Sequence, residues 1–320
     1  MIKINGIIND KNNLLLLLIL IITFFSISCK KPVIGMYGLV EPINDYKNYT
    51  KEAIDGAFVR WLESSGAEIV IIHIWYTKEE LINLLNQING IVFSAGFRRP
   101  LKFDEPWEKK AEFIFEYAKN NSIPVWGTCL GMQMICFFIS KDENIFDKYN
   151  NIGLETVELT KKVNSNMFSL FKKNDIADFE TKPSTYHIHQ RGVSPEKFNN
   201  NKNLIDNYDI IGYGYDKNNK KFVNMIESKK GLKHIIFGTQ FHAEKNPYER
   251  RKKYNEENTI DSLRRAQLIA MKFVEEARNN GNLFKSDEER NKYTFINTCQ
   301  KMKKGSYNNT INYYYFDIND

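Results

Sequence analysis

Short apolar runs alternate with amphipathic stretches along the first half of the chain. Three runs have the nearly continuous apolar character of strands covered on both faces: residues 33–38, 68–75 and 91–94. Three other stretches carry apolar residues at helical spacing: residues 51–64, 78–87 and 106–120. Because strands that alternate with helices at this pace favour βαβ units, the pattern predicts a three-layer α/β/α domain with a mainly parallel central sheet.

The pattern changes in the second half of the chain. Residues 210–215, 222–227 and 234–241 are rich in β-formers, and we expect them to be antiparallel strands added near the sheet. Residues 260–280 carry a wide apolar stripe that predicts a closing helix, ended by Gly281. We therefore assign residues 30–284 to one domain and residues 285–320 to a polar extension, which is either disordered or locally packed.

The N-terminus has the layout of a secretory signal. Lys3 and Lys11 precede an apolar run over residues 14–25, and small residues follow up to Cys29. The run is short for a membrane span of ~20 residues, so we expect cleavage after about residue 29 and no membrane contact in the mature form. An uncleaved anchor is the alternative. Three glycosylation sequons fit a secretory route, at Asn48, Asn120 and Asn308.

Composition and charge narrow the function further. The chain has 320 residues, 42% of them hydrophobic, which suffices for one sizeable core. The net charge is +6, but basic and acidic residues are mixed, so we expect no nucleic-acid binding. Four cysteines are too few and too irregularly spaced for a disulfide framework or a zinc site. Whether Cys136 and Cys299 are free or paired is left open.

Residues 123–133 predict a strand, a sharp turn at Cys129 and a helix that starts beneath the turn. Gly127 and Gly131 flank the cysteine, as expected where a strained turn leaves no room for a Cβ beside the partner backbone. The free N–H groups at the helix start should favour the thiolate of Cys129. The spacing therefore predicts a nucleophile at Cys129, whereas Cys136 is expected to be an inert core residue.

The best candidate for a general base is His242. It follows the predicted strand 234–241, and the carboxyl ends of strands in open α/β sheets are where catalytic groups gather. Glu244, two residues on, is placed to hold the imidazole in one tautomer and to stabilise its charged form. A structural histidine is the alternative, but the cysteine turn favours catalysis.

These two segments resemble a known family. Residues 127–131 (Gly-Thr-Cys-Leu-Gly) and 240–246 (Gln-Phe-His-Ala-Glu-Lys-Asn) are similar to the signatures of class I glutamine amidotransferase-like hydrolases. The continuation through residues 245–249 resembles the gamma-glutamyl hydrolases more narrowly, and the likeness spans roughly residues 32–278.

The resemblance implies a flavodoxin-like fold and a cysteine peptidase that cleaves the γ-glutamyl amide bonds of folylpolyglutamates through a thioester. It also implies a small-molecule substrate, no cofactor, no metal, and a secreted, lysosomal or vacuolar location; a homodimer is compatible with it. Endo or exo cleavage and the preferred tail length are left open.

The resemblance further implies roles for residues around the nucleophile. The N–H groups of Gly96 and Leu130 would form an oxyanion hole, although Ala95 replaces the first glycine of a family pair. His189 matches a substrate-side histidine of the family, with His187 as its neighbour. The remaining candidates for binding substrate are Arg98, Arg99, Gln133 and Lys245. The two arginines are equally consistent with a solvated surface pair.

Two features leave alternatives open. Gln133 stands where gamma-glutamyl hydrolases usually have glutamate and glutamine amidotransferases have glutamine, so an amidase that releases ammonia from glutamine is the runner-up. The signal segment argues against it, as does the lack of a following synthase domain. A non-catalytic binding protein of this fold is a third possibility. His187 and His189 share one face of an extended segment, but no third metal ligand is near them in sequence.

Overall fold

A computed structural model describes residues 31–40, 51–96, 100–160, 164–248, 259–295, 302–304 and 312–317. The predicted signal segment, Arg98, Arg99, Cys299 and the sequons at Asn48 and Asn308 lie outside these ranges. Across the described ranges, no helix combines the length and the apolar character needed to span a membrane.

A central sheet of eight strands organises the domain. Their spatial order is β4 (Glu68–Ile72), β1 (Val33–Tyr37), β5 (Gly90–Phe93), β6 (Val125–Thr128), β12 (Ile236–Thr239), β11 (Lys221–Ser228), β10 (Tyr208–Tyr215) and β8 (Glu158–Leu159). Strands β4 to β12 in this order are parallel, and the last three pair antiparallel. The carboxyl ends of the five parallel strands therefore share one edge of the sheet.

Helices cover both faces of this sheet. In chain order they are α1 (Gly56–Glu63), α2 (Lys78–Leu85), α3 (Pro106–Asn120), α4 (Leu130–Ser140), α5 (Lys173–Thr181), α6 (Pro195–Asn200), α7 (Lys202–Asn207), α8 (Lys245–Tyr248), α9 (Ile260–Asn279) and α10 (Asp287–Tyr293). One apolar core packs α2, α3 and α4 against the sheet, and a second packs α1 and α9 against the opposite face. The predicted three-layer α/β/α fold is confirmed.

Two smaller sheets flank the central one. Strands β7 (Phe146–Glu155) and β9 (Thr185–Val193) form an antiparallel pair, and the backbone N–H of His242 donates to a carbonyl of β9. The other sheet has the order β13 (Met302–Lys304), β14 (Asn312–Asp317), β3 (Lys51–Asp55) and β2 (Leu39–Val40). The described part of the C-terminal extension thus pairs with the domain.

Two predicted elements differ from the structure. Residues 51–55 form β3 rather than the start of a helix, because Asp55 caps α1 by accepting a hydrogen bond from the Ala57 N–H at 2.9 Å. The strand predicted at residues 234–241 as an antiparallel addition is antiparallel to only one of its two neighbours, β11. Its structured part, β12, pairs in parallel with β6, with Thr239 opposite Thr128. Local sequence patterns show that a strand forms but not which strand it pairs with.

Candidate active site

The turn at Cys129 is tight and strained. Cys129 adopts φ +52° and ψ −103°, a conformation that L-residues rarely occupy, between the end of β6 and the start of α4. A Cβ on Gly127 would lie 2.7 Å from the backbone carbon of Gly131. A Cβ on Gly131 would lie 1.8 Å from the Phe93 carbonyl oxygen. Gly127 therefore lets β6 approach the start of α4, and Gly131 lets α4 pack against β5; the sequence predicted this crowding at both glycines.

The thiol of Cys129 is buried, with 6% of the residue exposed. Burial is the main cause that raises its pKa to about 12, and the negative charge of Glu244 adds to the rise. The Leu130 N–H hydrogen-bonds to the sulfur and lowers the pKa, as do the charge of Lys245 and the side chain of Gln240. The helix start thus favours the thiolate as expected, but burial has the larger effect and the net pKa is raised.

The histidine and its carboxylate form a buried pair beyond β12. His242 Nδ1 lies 2.7 Å from Glu244 Oε1, and both side chains are almost fully buried. The carboxylate accepts the Nδ1 hydrogen, so in the neutral ring Nε2 is the nitrogen that can take up a proton. The predicted spacing thus brings the two side chains into contact.

Neighbouring strands bring the cysteine and the histidine to one edge of the sheet. The Cys129 N–H donates to the Thr239 carbonyl at 2.7 Å, across the parallel β6–β12 pair. Phe241 and Ala243, which flank His242, belong to the same apolar cluster as Cys129. The two candidate catalytic residues, 113 positions apart in the chain (242 − 129), therefore follow adjacent strands at the same edge of the sheet.

The two predicted oxyanion donors are adjacent in space. A Cβ on Gly96 would lie 2.5 Å from Leu130 Cδ2 and 3.1 Å from Leu39 Cδ2. Gly96 follows β5, the strand on which Gly131 packs, so the loop and the turn are held together. The absence of a side chain at Gly96 allows this close approach.

The two histidines of β9 form a buried hydrogen-bonded pair. His187 Nδ1 lies 3.2 Å from His189 Nε2, and His189 Nδ1 donates to the Arg191 carbonyl at 3.0 Å. Burial lowers the pKa of His187 well below its usual value and that of His189 to about 4; proximity to His189 lowers that of His187 further, and proximity to His242 lowers both. Both are therefore neutral near neutral pH, and both lie close to His242.

The remaining predicted binding residues have different surroundings. Lys245 is only 3% exposed, and its Nζ lies 3.9 Å from Asp55 Oδ2 and 4.0 Å from Glu244 Oε1. Its charge therefore compensates buried carboxylates beside the site. Gln133 Nε2 donates to the Arg191 carbonyl at 2.8 Å. Arg98 and Arg99 lie outside the described residues.

Sequence reasoning missed two residues of this site. Asp55 had been assigned to the middle of a helix, yet it caps α1 and faces Lys245. The sequence assigns no role to Gln240, yet its side chain hydrogen-bonds to that of Gln133 and lowers the pKa of Cys129. Its position at the end of a predicted strand, two residues before His242, was the sequence feature that could have indicated a place in the site. Within the described ranges, no three His, Cys, Asp or Glu side chains are grouped as metal ligands.

A cysteine in a strained strand–helix turn, beside a histidine–glutamate pair on a mainly parallel sheet, defines a glutamine amidotransferase-like α/β protein. The sequence model of the family "Glutamine amidotransferase class-I" matches residues 49–262, and the chain belongs to this family.

Curated relatives point to one branch of that family. The gamma-glutamyl hydrolase of Homo sapiens is 28% identical over 279 residues, which cover 83% of each chain. Gamma-glutamyl hydrolase B of Dictyostelium discoideum is 26% identical over 268 residues, covering 80% of this chain and 75% of the relative. The resemblance seen in the sequence is confirmed.

A solved structure supports the fold. The glutaminase domain of Trypanosoma brucei CTPS with bound acivicin matches with a TM-score of 0.51 and 16% identity, over 78% of this chain and 95% of that one. At this identity the match bears on the fold alone.

Proposed function

We propose that this protein is a cysteine-dependent hydrolase that cleaves the γ-glutamyl amide bonds of folylpoly-γ-glutamates. The observation that carries the proposal is the buried His242–Glu244 pair, which follows β12, the strand next to β6, after which Cys129 comes. Curated relatives named gamma-glutamyl hydrolase, similar over most of the chain, support this reaction over others of the family.

The raised pKa of Cys129 determines how attack begins. Because burial keeps the sulfur protonated, His242 Nε2 takes the thiol proton as the sulfur adds to the γ-glutamyl carbonyl carbon. The Glu244 carboxylate stabilises the imidazolium that results, through the bond to Nδ1. The N–H groups of Gly96 and Leu130 hold the developing oxyanion, where one lost donor typically costs about 3 kcal/mol of barrier.

The acyl-enzyme then forms and breaks with the proton returned. The imidazolium of His242 protonates the leaving α-amine, so the amide C–N bond breaks and a thioester remains on Cys129. Water enters, loses a proton to His242 Nε2 and attacks the thioester. The thiol leaves with that proton, which releases a γ-carboxylate and restores the resting enzyme.

The substrate tail is a polyanion, and the expected contacts match that charge. Arg98 and Arg99 follow the loop that carries Gly96, and guanidinium groups bind carboxylates through paired hydrogen bonds. His189 lies near His242 and offers a neutral, polar contact. A secretory location follows from residues 1–29 as a prediction from the sequence.

The experiment compares the wild type with Cys129→Ala on folate pentaglutamate and on free glutamine, with products separated by chromatography. Cys136→Ala is the matched control, because Cys136 is also a buried cysteine but lies within α4 and away from the turn. We expect Cys129→Ala to abolish release of shortened folates and Cys136→Ala to retain it. Unchanged turnover in Cys129→Ala would disprove the assignment.

Gln133 favours a second candidate function. Its carboxamide, one turn into α4, is the residue that glutamine amidotransferases usually have. The free-glutamine assay decides between the two functions: ammonia released from glutamine, with no cleavage of the folate substrate, would establish an amidase.

A further inference from the structure

Two buried carboxamides connect the strand β9 to the nucleophile. Gln133 is 8% exposed and Gln240 is 1% exposed. Gln133 Nε2 lies 2.8 Å from the Arg191 carbonyl oxygen and 3.2 Å from Gln240 Oε1. Gln240 directly follows Thr239, whose carbonyl accepts the Cys129 N–H at 2.7 Å. Gln240 is thus held beside the turn that carries the thiol.

The surrounding hydrogen bonds determine which way both amides point. A backbone carbonyl only accepts, so the Gln133 atom that faces Arg191 must be the nitrogen. That nitrogen carries only donors, so the Gln240 atom facing it must be the oxygen. The Gln240 nitrogen therefore points away from Gln133. The Arg191 carbonyl thus fixes the orientation of the Gln133 amide, which in turn fixes that of the Gln240 amide.

This second end of the amide is buried next to the turn that carries Cys129. Gln240 Nε2 is fully buried and makes no conventional hydrogen bond to any residue in the described ranges. The Gln240 side chain is one of the groups that lower the pKa of the Cys129 thiol. An N–H donor there favours a negatively charged sulfur, whereas a carbonyl oxygen would disfavour it.

We propose that Gln133 and Gln240 are positioning residues, and that Gln133 sets the polarity of the amide that Gln240 presents to the Cys129 sulfur. The inference rests on the proposed function in one respect, namely that Cys129 is the nucleophile. The Arg191 carbonyl also accepts the Nδ1 hydrogen of His189, so one backbone oxygen holds both the pocket histidine and the amide pair.

Replacing Gln133 with glutamate reverses this polarity. An ionised carboxylate has no hydrogen for the Arg191 carbonyl and attracts the N–H groups of Gln240. A protonated carboxyl donates its hydrogen to Arg191 and accepts from Gln240 with its other oxygen. In either state the Gln240 amide turns and places its oxygen at the sulfur, so the thiolate becomes harder to form.

The test measures the rate of Cys129 alkylation by iodoacetamide as a function of pH, with the labelled peptide identified by mass spectrometry. The variants are Gln240→Met, Gln133→Glu and the double variant. We expect both single variants to raise the apparent pKa of Cys129; a rise of one pKa unit slows alkylation about tenfold below that pKa. The double variant should match Gln240→Met alone, because no amide remains to be turned.

Asn224→Leu is the matched control. Asn224 is a fully buried carboxamide whose backbone carbonyl accepts the Gln240 N–H at 2.8 Å, so it tests a similar loss of polarity next to the same residue. We expect its alkylation profile to overlap that of the wild type. Circular dichroism and thermal unfolding establish that each variant is folded.

Two results would overturn the inference. One is an unchanged pH profile in folded Gln240→Met. The other is a further slowing when Gln133→Glu is added to Gln240→Met, since Gln133 would then act on the thiol by another route. Alkylation requires no substrate, so failure of the wild type to cleave folate polyglutamates would disprove the proposed hydrolase activity without deciding this test.

Discussion

The contact between Gly131 and β5 makes the Cys129 turn sensitive to a single methyl group. In Gly131→Ala, the new Cβ would lie 1.8 Å from the Phe93 carbonyl oxygen and 2.6 Å from its carbon. Both are backbone atoms at the end of a buried strand, so neither can rotate away as a flexible side chain would. The start of α4 has to move instead, together with Cys129.

The size of the effect follows from that geometry. Ordinary contact begins near 3.4 Å, so the two backbones must separate by about 1.6 Å. Overpacking of this kind costs about 3 kcal/mol, against which alanine gains about 1 kcal/mol in helix propensity. We expect a net loss of about 2 kcal/mol in the free energy of unfolding. Because a displacement of 1 Å in a catalytic group typically costs about 100-fold, we expect at least that loss in kcat/KM.

Urea unfolding and turnover of folate pentaglutamate measure the two effects. Gly281→Ala is the control, since no heavy atom of the described residues lies within 4 Å of the Cβ position at Gly281. It should remain within about 0.5 kcal/mol of the wild type. If Gly131→Ala matched the wild type in both stability and turnover, the argument that this contact sets the position of Cys129 would be refuted.

Three further changes test the surroundings of the site. Glu244→Gln should lower kcat by about 100-fold or more with little change in KM, because the imidazolium of His242 loses its carboxylate; equal kcat values would contradict this role. Burial holds the pKa of His189 at about 4, below the usual 6.5, so His189 binds a proton more readily in the unfolded chain than in the folded one. As the pH falls from 6.5 to 4, this difference lowers the free energy of unfolding by about 3 kcal/mol. His189→Gln should therefore flatten the pH dependence of urea unfolding over that range, and an unchanged slope would count against the buried neutral state. Lys245→Met should destabilise the fold by about 3 kcal/mol, because it removes the cation beside the buried carboxylates of Asp55 and Glu244. A melting temperature equal to that of the wild type would refute this.

Several local features followed from sequence patterns because short-range forces decide them. The helix at residues 106–120 was predicted with the bounds that α3 has, since Pro106 at its start and its apolar stripe act within a few turns. The turn at Cys129 was also predictable, because its flanking glycines are required by local crowding. The contact of Glu244 with His242 spans only two residues and followed from their spacing.

Other features depended on partners far away in the chain. Residues 51–55 were predicted as helix, yet they pair with β14, which lies more than 250 residues further on. The N–H groups near Cys129 lower its pKa as expected, but the pKa is raised because the whole fold buries the thiol. The pairing of Gln133 with Gln240 joins two segments 107 residues apart, and no local pattern indicates it.

The sequence alone determined the α/β class, the turn at Cys129 and the spacing of His242 and Glu244, because these depend on periodicity and on contacts between near neighbours. Only the tertiary structure decided that β12 lies beside β6, and hence that Cys129 and His242 are at the same edge of the sheet. It also decided that the thiol is buried and that the Gln240 side chain is close enough to lower its pKa. Strand order and burial arise from packing the whole chain, where each contact competes with many others of similar free energy.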